Sequence, residues 1–392
     1  MKSSFRTVAF CAAAFGALVF ANGASAADAT RSPFGRLADG RSVEAVTLSN
    51  GRGVSVRIIT YGATLQAVIM PDREGRKADV TLGYATLAEY VANPQYFGSS
   101  VGRFANRIAG GRYVLDGRTH QAPVNDGANS LHGGPAGFDK AVWEIASVRS
   151  GPTASVTLRH VSPDGDQGYP GAVTVLATYS LGENNHLGIE YRATTDKPTI
   201  INLTNHVYWN LAGEGAEAGA LNALVRMPAD TYLPTDSGLI PTGEFKPVAG
   251  TPFDFRKPQR IGARVREASD PQIVIGRGYD HSWVFGRRVT PDEHLMAEVR
   301  DPVSGRGFEL WSNQPAVQFY SGNFLDGTSF GKSRRLYRQG DGFALEPQIF
   351  PDTPNRPEFG SARLAPGETY VNRMTYRLTT AGAPKPKTAK RR

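Results

Sequence analysis

The sequence predicts an all-β protein, built as one large β-sandwich-like domain with few short helices. Short runs rich in Val, Ile, Thr and aromatic residues recur along the chain, with Gly, Pro, Asn and Asp between them. Glycine and proline number 44 and 26 of 392 residues, enough to supply the many turns such strands require. Strand-like runs do not alternate with long amphipathic helices, which disfavours a doubly wound parallel sheet.

The chain opens with a segment that reads as a secretory signal. Lys2 and Arg6 form a positive start, Val8 to Phe20 is apolar over about 13 residues, and Ala24-Ser25-Ala26 fits a small-x-small cleavage site. Residues 1–26 are therefore expected to be removed, leaving a periplasmic or secreted protein with no stable membrane insertion. The apolar run is too short for an ordinary span. Cys11, the single cysteine, lies in this segment, so the mature chain is expected to hold no disulfide. Val43–Leu48 and Val54–Ile59 read as paired strands around Asn50-Gly51. Further strands are expected at Thr64–Ile69, Tyr113–Leu115, Ser155–Leu158, Val173–Tyr179, Leu187–Tyr191 and Thr199–Leu203. Others follow at Ala297–Val299, Phe308–Trp311, Ala316–Tyr320, Phe343–Glu346 and Tyr376–Thr379, and Thr86–Val91 reads as a short helix. The domain is expected over residues 33–380, with a disordered basic tail at 381–392. The formal charge of +8 sits mostly in the signal and this tail. The body is close to neutral, and no nucleic-acid partner is expected.

Several motif look-alikes fail on context. Gly98-Ser99-Ser100-Val101-Gly102 fits a serine-hydrolase elbow, yet no helix pattern follows it, and His132-Gly133-Gly134 stands on the wrong side of it for an oxyanion loop. Asp164-Gly165-Asp166 lacks calcium-loop spacing and reads as a turn. The histidines lack zinc spacing.

Asn202-Leu203-Thr204-Asn205-His206-Val207-Tyr208-Trp209 concentrates amide, hydroxyl and imidazole groups beside aromatic rings. Half-buried polar groups are costly without partners, so the stretch suits a sugar site, with aromatic faces on C–H surfaces and amides on hydroxyls. Polar residues that a plain core does not need recur in Gly102–Ile108, Leu131–Gly134, Gly278–His281, Gln314–Asn323 and Phe343–Gln348. Taken singly, each has a bland structural reading.

Together these segments resemble the aldose 1-epimerase (galactose mutarotase) family, from about Val54 to Arg377. Ser162–Gly171 and Ile240-Pro241-Thr242-Gly243 add to the match. The resemblance implies a large twisted antiparallel β-sandwich, the galactose mutarotase-like supersandwich, with an open, concave sugar site and no cofactor or metal. It implies interconversion of the α and β anomers of free aldoses such as glucose and galactose. Glu346 matches the family's catalytic base and His206 its catalytic acid. Asn106, Arg107, His132, Asp280 and Gln318 match the residues that hold the sugar. Val207, Pro347 and Trp311-Ser312-Asn313 depart from the commoner pattern without removing a catalytic group, and Trp311 is expected to bear on sugar preference.

Opening a hemiacetal takes a proton from the anomeric hydroxyl and gives one to the ring oxygen, which a carboxylate and an imidazolium can do together. Ordinary pKa values suit an ionised Glu346, and nearby negative charge is expected to favour protonated His206. Three other readings stand beside this one, among them a phosphosugar epimerase, whose cytosolic substrates export would make less available. A glycoside hydrolase would pair Asp280 with Glu346 as its two acids. A non-catalytic periplasmic sugar-binding module could use the same fold. The expected partner is a small aldose, and the chain is expected as a monomer or weak dimer.

Overall fold

The computed structural model describes residues 26–382. The signal expected at 1–26 and the tail expected at 381–392 lie almost wholly outside that range. Among the described residues, three antiparallel sheets carry the architecture. A five-stranded meander runs Asp28–Arg36, Ser42–Ser49, Ser55–Ile59, Thr64–Pro71 and Lys77–Asp79. A nine-stranded sheet contains the long arms Thr153–Ser162, Val173–Gly182, His186–Thr195 and Tyr370–Thr380. A six-stranded sheet orders Tyr208–Trp209, Phe343–Gln348, Ala316–Tyr320, Asp280–Val284, Thr231–Leu233 and Lys246–Pro247. The all-β expectation is borne out.

Alternation explains the layering. In Val173–Gly182, Val173, Val175, Ala177, Tyr179 and Leu181 are buried while the intervening residues are half-exposed. Their apolar face joins a core that also takes Val46, Leu48, Trp209, Phe308 and Tyr376 from other elements. The six-stranded sheet differs, because Ala316–Tyr320 and Phe343–Gln348 are buried on both faces. Val317, Phe319, Phe343 and Leu345 enter the apolar core. The opposite face carries Asp280, Ser282, Gln318, Tyr320 and Glu346, since cross-strand partners share a side. Ser282 pairs with Gln318, Gln318 with Glu346, and Asp280 with Tyr320.

The local expectations meet some differences. The expected start at residue 33 falls inside the strand Asp28–Arg36, and Ala27 ahead of it is buried in the core. Thr199–Leu203 is not one strand. It divides into Thr199–Ile200 and Thr204–Asn205, with Asn202 between them donating to Ala105 O and accepting from Ile349 N–H. The Asn202 backbone forms a parallel bridge with Phe104, and the side-chain amide adds its bonds to that bridge. The strands on either side of Asn50-Gly51 pair as expected, and in the loop between them Asn50 Oδ1 accepts from the Arg52 and Val54 amides. The short helix forms at Leu87–Ala92, where Thr86 and Glu89 make a reciprocal capping box. A second helix, Pro271–Gly276, was not among the expected elements. It begins at Asp270, which caps the Gln272 amide, with Pro271 as its first residue.

Candidate active site

The motif Gly102–Ile108 places its residues in different environments. Arg103 is buried and does not line the cavity. Its guanidinium donates to the carbonyls of Pro170 and Gly171 at 2.9 and 2.8 Å and to Ser162 Oγ. The Ser162–Gly171 motif is therefore a scaffold that this arginine ties down. The calcium look-alike within it keeps its carboxylates on protein donors, with Asp164 on the Gly171 amide and Asp166 on the Ser162 hydroxyl. Ser100, from the hydrolase look-alike, is buried against Ala63 O and the Tyr191 hydroxyl.

Asn106 and Arg107 face a cavity of about 460 Å³. Asn106 has a left-handed backbone, and its amide N–H donates to Nδ1 of His132 at 3.1 Å. His132 enters from the strand Ser130–Leu131, which pairs with Arg107–Ile108. The next residue must be glycine, because a Cβ on Gly133 would lie 2.0 Å from the Gly102 carbonyl oxygen. Arg107 Nε donates to Asp126 at 2.7 Å, and its Nη1 lies 3.6 Å from Asp280.

His206 lies between the short strands Thr204–Asn205 and Tyr208–Trp209, with its backbone bonded on both sides. Its N–H donates to Ser99 O, and its carbonyl accepts from the Gly98 amide. Its Nε2 stands 3.6 Å from Glu346 Oε1. The other heteroatoms, His206 Nδ1 and Glu346 Oε2, have no protein partner. Both side chains are almost fully buried yet line the cavity.

Six of the seven residues expected at the site line this one cavity: Asn106, Arg107, His132, His206, Asp280 and Glu346. Gln318, expected among the sugar-holding residues, stands behind them. Its Nε2 donates to Asp280 Oδ1 at 2.8 Å, and its Oε1 accepts from Ser282 Oγ at 2.6 Å. The amides of Asn202 and Asn205, which the sequence offered to sugar hydroxyls, hold the backbone instead. Asn205 donates to Gly98 O and Asn202 to Ala105 O. Of the two aromatics that follow, Tyr208 lines the cavity and Trp209 packs in the core against Phe308 and Tyr376. Sequence reasoning missed Tyr96, Asp126 and Ser282. Asp126 sits in a turn-like Asn125-Asp126-Gly127, and nothing local marks it as the partner of Arg107.

Burial sets the protonation states. It pushes His206 down to about 4 and His132 well below the usual imidazole range. Burial pushes the Glu346 carboxyl well above its usual range, the Asp280 charge adds to this, and Arg107 opposes it. Negative charge near His206 was expected to keep it protonated, but burial outweighs that effect. Asp280 is also raised by burial, against Arg107 and Gln318.

His132, His206 and Glu346 bring possible ligand atoms within 4.8 Å of one another. A divalent ion would need a lone pair from each. The Asn106 N–H occupies His132 Nδ1, so the proton sits on Nε2, and that imidazole offers a donor where a ligand is required. The set suits hydroxyl oxygens better than a metal.

A buried carboxyl and imidazole sharing one polar cavity on a β-supersandwich define an acid–base enzyme of small polyhydroxylated molecules. The family model described as aldose 1-epimerase matches residues 44–377. The galactose mutarotase of Homo sapiens is 42% identical over 356 residues, which cover 91% of this chain and 100% of that one. The aldose 1-epimerase of Escherichia coli (strain K12) is 38% identical, over 87% of this chain and 96% of its own. The crystal structure of galactose 1-epimerase from Lactobacillus acidophilus NCFM superposes with a TM-score of 0.79 at 31% identity, covering 90% of this chain and 98% of that one. The chain belongs to the aldose 1-epimerase family. It is an isomerase that interconverts the α and β anomers of aldoses. The hydrolase and non-catalytic readings are not favoured.

Proposed function

We propose that Glu346 and His206 are the proton-moving pair and that free hexoses, galactose and glucose first among them, are the substrates. The observation that carries the assignment is the 3.6 Å approach of His206 Nε2 to Glu346 Oε1 inside the cavity, with a second heteroatom of each left unpartnered. The choice of sugars is supported by relatives named galactose mutarotase.

The pair holds one proton, and its two forms have the same proton count. Neutral Glu346 with neutral His206 is favoured by burial, whereas ionised Glu346 with protonated His206 is the working form. Arg107 favours the ionised carboxylate, and bound hydroxyls restore part of the lost solvation. Glu346 then takes the proton of the anomeric hydroxyl, and His206 gives its proton to the ring oxygen. The C1–O5 bond breaks, and a carbonyl forms at C1. Ring opening leaves both groups neutral, the form that burial prefers, so the intermediate is not held as a buried ion pair. Rotation about C1–C2 presents the other carbonyl face. The O5 hydroxyl closes on C1 as His206 takes its proton back and Glu346 returns its own. Each proton transfer contributes roughly a hundred- to ten-thousand-fold.

Asp280, Asn106, Arg107 and the Nε2–H of His132 grip the other hydroxyls, with Gln318 acting through Asp280. Export is proposed on the charged, apolar and small-residue pattern of residues 1–26. N-terminal sequencing of exported protein should read from Ala27, and an intact Met1 there would reject it.

The test is optical rotation of fresh α-glucose and α-galactose with and without the protein. Wild type should hasten the approach to equilibrium. Glu346→Gln should lose at least about a hundredfold in kcat while still binding sugar. Near-normal mutarotation by that variant would reject the pair.

A further inference from the structure

Tyr96 precedes the strand Ser100–Val101, in the loop that follows the helix Leu87–Ala92. Its φ is +59°, a left-handed conformation costly for a residue with a side chain. The surroundings hold it there. Its carbonyl accepts from the Ser99 amide at 3.0 Å, and the next side chain, Phe97, is buried edge-on against Tyr208 at 4.9 Å. Gly98 and Ser99, two and three residues on, make the two backbone hydrogen bonds to His206. The segment carrying Tyr96 is thus laced to the residue beneath its ring.

That ring lines the cavity and meets both histidines. Its centroid is 4.8 Å from His132, edge-on at 60°, and 5.8 Å from His206, near-parallel at 26°. Lys140 Nζ, itself paired with Asp139, lies 5.4 Å from the ring centroid and holds it from a further direction. Tyr208 is the second ring near-parallel to His206, at 4.9 Å and 28°. Glu346 is the carboxyl that meets the imidazole, and the two aromatic rings add π density that stabilises positive charge on it.

We propose that Tyr96 is a positioning residue for the epimerase reaction, holding the His206 ring on line with the sugar and stabilising its protonated form through the aromatic face. The inference rests on His206 being the proton-carrying group. Aromatic contact with a buried cation is worth enough to change a rate about tenfold. The effect acts on the proton-transfer step, while His132, which the ring also meets, is held in the grip by the Asn106 N–H. It therefore appears in kcat and not in KM.

The experiment compares Tyr96→Phe, Tyr96→Leu and His206→Gln by polarimetry, with circular dichroism and melting as folding controls. Tyr96→Leu should lower kcat about tenfold with KM within about twofold of wild type, and Tyr96→Phe should restore kcat to within about twofold. If Tyr96→Leu melts below the assay temperature, Tyr96→Met supplies the same comparison. Wild-type kcat in the leucine variant, a rise in KM with kcat kept, or an equal loss in the phenylalanine variant would each overturn the role. An active His206→Gln would instead sink the catalytic assignment, whatever the Tyr96 variants do.

Discussion

His206 Nε2 lies 3.6 Å from Glu346 Oε1, although one comes from the link between two short strands and the other from the centre of a fully buried strand. Two backbone bonds, to Gly98 and Ser99, fix His206. Register fixes Glu346, because its strand pairs Glu346 with Gln318 and Ala344 with Tyr208. A one-residue slip would turn the carboxylate into the apolar core, so the same pairing that closes the sheet also aims the acid.

This arrangement predicts an acid limb far from the ordinary histidine range. Burial puts His206 near 4, and under the proposed mechanism the pair stops working when it takes up a second proton. As pH falls, kcat/KM should stay level through about 5 and decline only as pH approaches about 4. A half-maximal point near 6.5 in the pH–rate profile would contradict the role of burial.

Asp280→Asn should act on binding. The carboxylate oxygens take Gln318 Nε2 at 2.8 Å and face Arg107 Nη1 at 3.6 Å, and Asp280 lines the cavity. Loss of one charge-assisted hydrogen bond should raise KM about tenfold and leave kcat largely intact. An unchanged Michaelis constant would argue against the grip.

Ser282→Ala tests the layer behind. The Ser282 hydroxyl donates to Gln318 Oε1 and so commits the amide nitrogen to Asp280. Without it the amide can turn over, and its oxygen would then face the Asp280 carboxylate. KM should rise about threefold to tenfold, on the scale of one hydrogen bond. Kinetics indistinguishable from wild type would show that the amide is held by other contacts.

His281 predicts how stability depends on pH. It is buried, its Nδ1 accepts from the Asp280 N–H at 3.1 Å, and its Nε2 meets Gln272 Oε1 at 3.0 Å. Burial lowers it from 6.5 to about 3, so between those values the unfolded chain binds a proton that the folded chain refuses. Its contribution is complete above about 6.5 and is lost as pH falls toward about 3. The stability gap between wild type and His281→Gln should therefore narrow by about 2 kcal/mol from pH 7 to pH 5. Denaturant unfolding at the two values measures it, and a constant gap would refute the assignment.

Strand chemistry was legible where it is local. The alternation in Val173–Tyr179 and the turn residues beside it depend on neighbours in the chain, and the fold class followed from many such segments. Residue types at the site were legible for the same reason. His132, His206, Asp280 and Glu346 each stand in a short, unusual polar context. The roles of Asn202, Asn205 and Gln318 were not legible, because an amide serves a sugar or a carbonyl equally well until its neighbours in space are known.

By itself the sequence determined the all-β class, the family and the side chains with acid–base chemistry, because periodicity, turn preference and residue type are properties of the chain. Only the tertiary structure decided that Glu346 meets His206, that Asp126 pairs with Arg107 and Ser282 with Gln318, and that burial disfavours charge on both members of the Glu346–His206 pair. The last of these reverses the sequence expectation. Burial is made by the whole fold, and the cost of holding charge away from water outweighs what any single neighbour supplies.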